Sequence, residues 1–208
     1  IVFLVGMPVR MGGLLFNCAV VCQSGEILGV AGMVGSGRTE MANAIVGAAK
    51  KYGGKAYKTP EEAITADGVD CVYIVTPHNA HFRYAKLALE LGKPVFCEKS
   101  FTVTAEETDQ LIALAKEKDL YLCEAMWTWF SPVALKVKEW VQSGEIGEIK
   151  DVVINYAFPG IKMPKDSRVL TPETAGGALL DIGIYPITYC YNLFGVPKGI
   201  KCDGVIEN

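Results

Sequence analysis

Hydrophobic positions fall into short runs along the first third of the chain. Two β-rich apolar runs, residues 2–6 and 14–22, are separated by "RMGG", which predicts a hairpin turn. After "QSGE" a third run, "ILGVAG", has the length of a buried strand. Helix formers then dominate from Arg38 to about Tyr52, and the glycines at 53–54 stop them. Beyond that point the pattern becomes a regular alternation. Thr59-Pro60-Glu61-Glu62 predicts a capped helix start, and 70–77 ("DCVYIVTP") is a strand apolar on both faces. Residues 81–92 form a helix, 94–99 a strand, 104–119 a capped amphipathic helix and 120–127 another strand. Strand and helix repeated at this spacing predict an α/β fold with a doubly wound parallel sheet. A further amphipathic helix follows at 131–143, and 149–158 alternates as a half-wet strand. A polar loop over 159–175 leads to a helix over 176–195, and "GIKCDGVIEN" begins one more strand. The pattern divides the chain into an N-terminal hairpin segment (1–26), an α/β unit (27–124) and a shortened α/β unit (125–208).

Composition narrows the function classes. Half of the 208 residues are apolar and 21% are charged, which fits a packed globular chain rather than a disordered one. The net charge of -3, with no basic block, argues against nucleic acid as a partner. Seven cysteines without a C-x-x-C pair read as buried thiols in a reducing compartment, so a cytoplasmic location is expected. Pro8, Arg10 and Gly12-Gly13 break the first apolar run too early for a signal peptide, and no stretch reaches the ~18 apolar residues of a membrane helix. Ile1 stands where an initiator Met would, so a piece of a longer polypeptide is expected.

The stretch "GVAGMVGSGRTE", Gly29 to Glu40, has the strand–glycine turn–helix layout that holds phosphates. Gly32-x4-Gly37-Arg38-Thr39 resembles a Walker A pattern with Arg for Lys, but no Walker B carboxylate or ABC signature follows. Gly35 and Gly37 supply a G-x-G for a dinucleotide, with Glu40 where a small third residue belongs. The helix from Arg38 then runs straight into "KKYGG", with no second strand to carry a ribose reader. His78 and His81 could pair as metal ligands with Cys71 or Cys97, but a lone i, i+3 pair is an ordinary structural feature, and no metal is expected. Trp127, Trp129 and Phe130 fit either a sugar or aromatic-diol pocket or interdomain packing.

Residues 49–201 resemble the Gfo/Idh/MocA oxidoreductases. The resemblance rests on "VDCVYIVTPHNAHFRYAKLALELGKPVFCEKS", and on "LCEAMWTWFSP" and "GGALLDIGIYP", which are similar to the dihydrodiol and NADP-xylose dehydrogenase branch. It implies a degenerate Rossmann-like sheet, NADP or NAD as cofactor, a sugar or diol substrate, and a homodimer through the C-terminal sheet. It also implies Lys99 and Tyr185 as the catalytic pair, with Asp181 orienting Lys99 or substrate. Thr76, Pro77, His81 and Glu98 would lie on the cofactor side together with Lys99, and Trp127 and Tyr156 on the substrate side. A nearby ammonium would lower the Tyr185 pKa. Ser100 replaces the Pro of the family's "EKP", and Trp129 replaces the Arg of "W-T-R-F". The front resembles other families: residues 1–30 the nitrilase-like domain of glutamine-dependent NAD synthetase, and 25–48 a sugar-importing ABC ATPase. The expectation is a mosaic oxidoreductase with impaired or no activity. A nucleotide-binding module at Gly32–Thr39, or a chimera without function, are the alternatives.

Overall fold

The computed structural model describes residues 3–11, 14–23, 26–32, 57, 59–157, 163 and 167–203. Strands β1 (Phe3–Met11), β2 (Leu14–Gln23) and β3 (Glu26–Gly32) form an antiparallel sheet in the order β1-β2-β3. Phe3 pairs with Cys22 and Met11 with Leu14, the register the expected "RMGG" hairpin requires. β3, assigned from sequence to the unit starting at 27, hydrogen-bonds to β2 instead. Two-residue connections suit antiparallel neighbours, whereas a parallel crossover needs a dozen residues or more. Gly35, Gly37 and the helix expected after Arg38 lie outside the described residues.

The second sheet is parallel. Strands β4 (Val72–Ile74), β5 (Val95–Cys97) and β6 (Leu122–Glu124) stand in the order β4-β5-β6, with Val72 opposite Val95 and Val95 opposite Leu122. Each ladder is shorter than its apolar run, so the residues just beyond it are released as loops. The connecting helices are α1 (Pro60–Thr65, before β4), α2 (His78–Glu90) and α3 (Ala105–Glu117). Thr59 caps α1, its side chain accepting from the Glu62 amide at 3.2 Å. α2 begins three residues before the expected start, because Pro77 (φ -58°) leads directly into it. Ala85, Ala88 and Leu89, spaced three and four apart, bury one face of α2 against Ile74, Val95, Cys97 and Leu111. This cluster is the core.

Helix α4 (Pro132–Ser143) follows the expected span and ends at Gly144, whose φ of 73° is the left-handed termination that glycine allows. Two expected strands fail to form further on. Residues 149–157 form no strand: nothing among the described residues pairs with them, and Val152, Val153 and Tyr156 are exposed. A strand without a partner leaves its amides and carbonyls without a ladder. The sheet on which the expected homodimer depended is therefore not formed among the described residues. The helix expected over 176–195 does form, from 178 to 194, but its first turn, Leu179–Gly183, is π-helical before it continues as α5 (Ile184–Phe194). Residues 199–203 also carry no strand.

The α3 start illustrates how strongly local chemistry fixes an element here. The Thr104 hydroxyl accepts from the Glu107 amide at 3.2 Å, and the Glu107 carboxylate accepts from the Thr104 amide, a reciprocal capping box. Thr104→Ala is expected to cost about 1 kcal/mol of unfolding free energy in urea titration. An unchanged midpoint would show that the cap contributes nothing.

Candidate active site

The site forms where β4 and β5 end. At the carboxyl edge of a parallel sheet the chain leaves the ladder, and side chains there face a crevice rather than the core. The Glu98 amide still donates to the Ile74 carbonyl at 2.9 Å, so the strand end is fixed before the functional residues begin. Glu98 accepts a hydrogen bond from the Tyr73 hydroxyl and lies 3.3 Å from the Lys99 amide. Burial, then the Glu98 charge, drives the Tyr73 pKa up, so Tyr73 stays a donor to Glu98. The Lys99–Ser100 peptide is cis.

Lys99 is buried, 7% exposed, and reaches across to the π-helical turn. Its ammonium donates to the Asp181 carbonyl oxygen, lies 3.6 Å from Asp181 Oδ1, and stands 4.9 Å above the Tyr185 ring centre. One residue on, Ser100 Oγ donates to the Leu180 carbonyl at 2.7 Å. Two adjacent residues thus hold two adjacent carbonyls, pinning the turn to the strand end. Lys99, Asp181 and Tyr185, singled out from sequence, do meet. The expected substrate residues each pack on Tyr185: the Tyr156 and Tyr185 rings meet edge to face at 5.5 Å, and Trp127 packs against Tyr185 at 6.0 Å. Trp129 instead packs on Tyr191, at 6.2 Å, and Phe130 is exposed.

The electrostatics differ from expectation in one respect. Burial raises the Tyr185 pKa, opposed by a hydrogen bond from Trp127 and reinforced by the charges of Glu98 and Asp181. The Lys99 ammonium faces the ring rather than the hydroxyl, so it does not bring about the expected lowering. Lys99 itself is shifted down: burial outweighs the attraction of Asp181, and Arg168 pushes the same way as burial.

His81 is completely buried and joins two loops. Its Nε2 lies 2.9 Å from the Thr76 carbonyl, and its Nδ1 lies 2.8 Å from the Ser100 carbonyl. Both nitrogens are thereby engaged by backbone, so His81 shapes the loops after β4 and β5 and has no polar atom left for a ligand. His78 Nδ1 bonds the Ala175 carbonyl at 3.0 Å, and burial holds its pKa down. Among the described residues no group of three or more His, Cys, Asp or Glu gathers as a metal site would. Pro77 sets the start of α2. Thr76 Oγ1, by contrast, is buried at the end of β4 without a hydrogen-bond partner among the described residues. An orphaned hydroxyl at a strand end is where a bound polar ligand completes the bonding, and with Glu98 and Lys99 following the neighbouring strand the residues fit a nicotinamide dinucleotide.

Arg168 escaped sequence reading, because it lies in an aperiodic polar loop. Its guanidinium lies 3.4 Å from Asp181 Oδ1. A cavity of about 460 Å³ lies elsewhere, between α3 and β6, lined by Phe101, Ile112, Lys116, Leu122 and Glu124 among others. It contains none of the Lys99, Asp181 and Tyr185 side chains.

The geometry is that of a dinucleotide-binding α/β unit with a lysine at the strand end meeting an acidic and a phenolic side chain from a later segment. Family comparison agrees: residues 19–125 match the oxidoreductase family with an NAD-binding Rossmann fold, and 134–207 match the GFO/IDH/MocA C-terminal domain. The chain belongs to the Gfo/Idh/MocA oxidoreductase family. It is 41% identical over 174 residues to the NADP(+)-dependent D-xylose 1-dehydrogenase of Hypocrea jecorina, an alignment covering 80% of this chain and 44% of that enzyme. It is 33% identical over 168 residues to the trans-1,2-dihydrobenzene-1,2-diol dehydrogenase of Danio rerio, covering 80% and 49%. A solved variant of an Actinomadura kijaniata 3-ketoreductase, in complex with TDP-benzene and NADP, superposes with a TM-score of 0.67 at 29% identity, covering 72% of this chain and 46% of that one. The chain spans about half the length of the curated relatives it matches. The family match, residues 19–125, spans both the overlap at 25–30 and the boundary at 48–49 between the expected pieces, and nothing supports the nitrilase-like or ABC-like origins for the front. No described helix is long and apolar enough to cross a membrane.

Glu124, at the end of β6, offers a pH test. Burial raises its pKa, while its hydrogen bond from the Phe101 amide, 3.0 Å, opposes the rise. A carboxyl raised in the folded state adds stability that is fully present below its unfolded pKa and is lost as pH climbs through the folded value. Glu124→Gln keeps the acceptor and removes the titration. Its Tm is expected to match wild type at about pH 4 and to exceed it at about pH 8. A variant less stable than wild type at the higher pH would contradict the burial account.

Proposed function

We propose that this chain carries the catalytic and cofactor-side residues of an NAD(P)-dependent oxidoreductase acting on a hydroxyl group of a sugar or cyclic diol. The meeting of Lys99, Asp181 and Tyr185 at the carboxyl ends of the parallel strands carries the reading. The names of the xylose and dihydrodiol dehydrogenase relatives support the substrate class.

A bound nicotinamide dinucleotide supplies the hydride acceptor or donor. Thr76 Oγ1, Glu98 and the loop held by His81 are the residues that would hold it. Tyr185 moves the proton: with its pKa raised, it is a neutral hydroxyl near pH 7 and donates to the oxygen of a carbonyl being reduced. In the oxidising direction the phenolate takes the proton from the substrate hydroxyl. The Lys99 ammonium, fixed by Asp181, stabilises the negative oxygen that forms between these states. Trp127 and Tyr156 pack against the Tyr185 ring and flank the phenol.

The sign of the pH dependence follows. Carbonyl reduction needs protonated Tyr185 and is lost as pH rises through its raised pKa, while oxidation of D-xylose or a dihydrodiol gains over the same rise. Lys99→Met and Tyr185→Phe are each expected to lower kcat/KM by roughly 10²–10⁴-fold, with NADPH binding by fluorescence retained in Tyr185→Phe. Turnover unaffected by both substitutions would overturn the assignment.

A further inference from the structure

The Asp181 carboxylate faces two cations, and the function proposed above uses neither the second cation nor the loop that delivers it. Arg168 and Lys99 approach the same oxygen, Oδ1, at 3.4 Å and 3.6 Å, and all three side chains are largely buried, with exposures of 17%, 6% and 9% for Arg168, Lys99 and Asp181. The loop around Arg168 is closed on itself. Thr174 Oγ1 donates to the Arg168 carbonyl at 2.6 Å, the Gly177 amide to the Val169 carbonyl at 2.7 Å, and Thr171 Oγ1 to the Ser167 carbonyl at 2.8 Å. A Cβ on Gly176 would lie 2.5 Å from the Arg168 carbonyl oxygen, so the closure requires glycine there. The loop is also anchored to the start of α2, through His78 to the Ala175 carbonyl at 3.0 Å and Asn79 Nδ2 to the Glu173 carbonyl at 2.7 Å. A tightly bonded loop, docked on the cofactor-side turn, thus presents one buried guanidinium to one carboxylate oxygen.

We propose that Arg168 is a positioning residue that shares the Asp181 carboxylate with Lys99 and so limits how much of that negative charge the Lys99 ammonium receives. The proposal rests on the reading of Lys99 as the charge-stabilising group. An ammonium given the whole carboxylate would be a settled ion pair. One given part of it keeps its strongest unmet attraction for a negative substrate oxygen. The groups facing Lys99 are the Asp181 carbonyl and carboxylate, Arg168, Glu98 and the Tyr185 ring, with His78 and Glu124 also within its electrostatic reach. Of these, Arg168 disfavours the Lys99 charge and Asp181 favours it, in line with the geometry.

The test reads Lys99 directly in the full chain without ligand, so it stands or falls apart from any turnover measurement. In protein carrying ¹³C,¹⁵N-lysine, the Cε and Nζ shifts of Lys99 are followed against pH, with the resonance assigned by its absence in Lys99→Met. Arg168→Met is expected to move the Lys99 midpoint upward and Asp181→Asn to move it downward, with Arg168→Lys returning it toward wild type. A merely structural Arg168 would not give opposite shifts from two neighbours of one oxygen. If Arg168→Met does not fold, Arg168→Gln gives the same readout with the same expected direction. A midpoint that stays put or falls when the guanidinium is removed would overturn the proposal.

Discussion

A buried carboxylate needs its compensating charge, and in this chain Asp181 finds it in Lys99 and Arg168. Removing one partner of a buried ion pair costs about 3–5 kcal/mol, chiefly because the charge left behind has lost its water. That penalty ties together parts of the chain far apart in sequence: the strand end at 98–100, the loop at 167–177 and the π-helical turn at 179–183. Ser100 and His81 strengthen the same junction through backbone carbonyls. Loss of the Asp181 charge would therefore disturb more than chemistry, since the turn that leads into α5 and Tyr185 is fixed through the same residues.

The parallel sheet makes this junction possible. β4 and β5 stop after three residues each, so Thr76 and Glu98 stand in loops rather than in a ladder. The core beneath them, built on α2 and Leu111, is apolar and tightly buried, which holds the strand ends still. Precision at Lys99 matters because misplacement by about 1 Å can cost 10²-fold in rate. The cavity beside α3 is lined by Lys116, Asp119 and Glu124, but by none of the side chains that meet at Asp181.

Much of the parallel unit was legible in the sequence because its signals are local. Thr59-Pro60 and the Thr104/Glu107 pair announce helix starts, Gly144 a helix stop, and the apolar runs the strands. Lys99, Asp181 and Tyr185 were legible only through family resemblance, since no spacing brings residue 99 to 181. Arg168 was missed because an aperiodic loop gives no pattern, and its role appears only when the loop closes over Gly176. The strand expected at 149–158 went wrong for the opposite reason: alternation marks a segment fit for a sheet, but pairing decides whether it joins one. The lowered phenol pKa expected for Tyr185 failed because proximity to an ammonium was legible and its placement over the ring was not. The glycine stretch at 29–40, the most chemical-looking part of the front, falls within the family match rather than apart from it.

The central claim is that the ends of β4 and β5, joined to the turn at Asp181, form the dinucleotide face. Titrating NADP into uniformly ¹⁵N-labelled chain and mapping amide shifts tests it most directly. The account predicts saturable shifts at Thr76, Glu98 and Lys99, with the groove residues Ile112 and Cys123 unmoved. Shifts confined to that groove, or none at the strand ends at saturating cofactor, would contradict it.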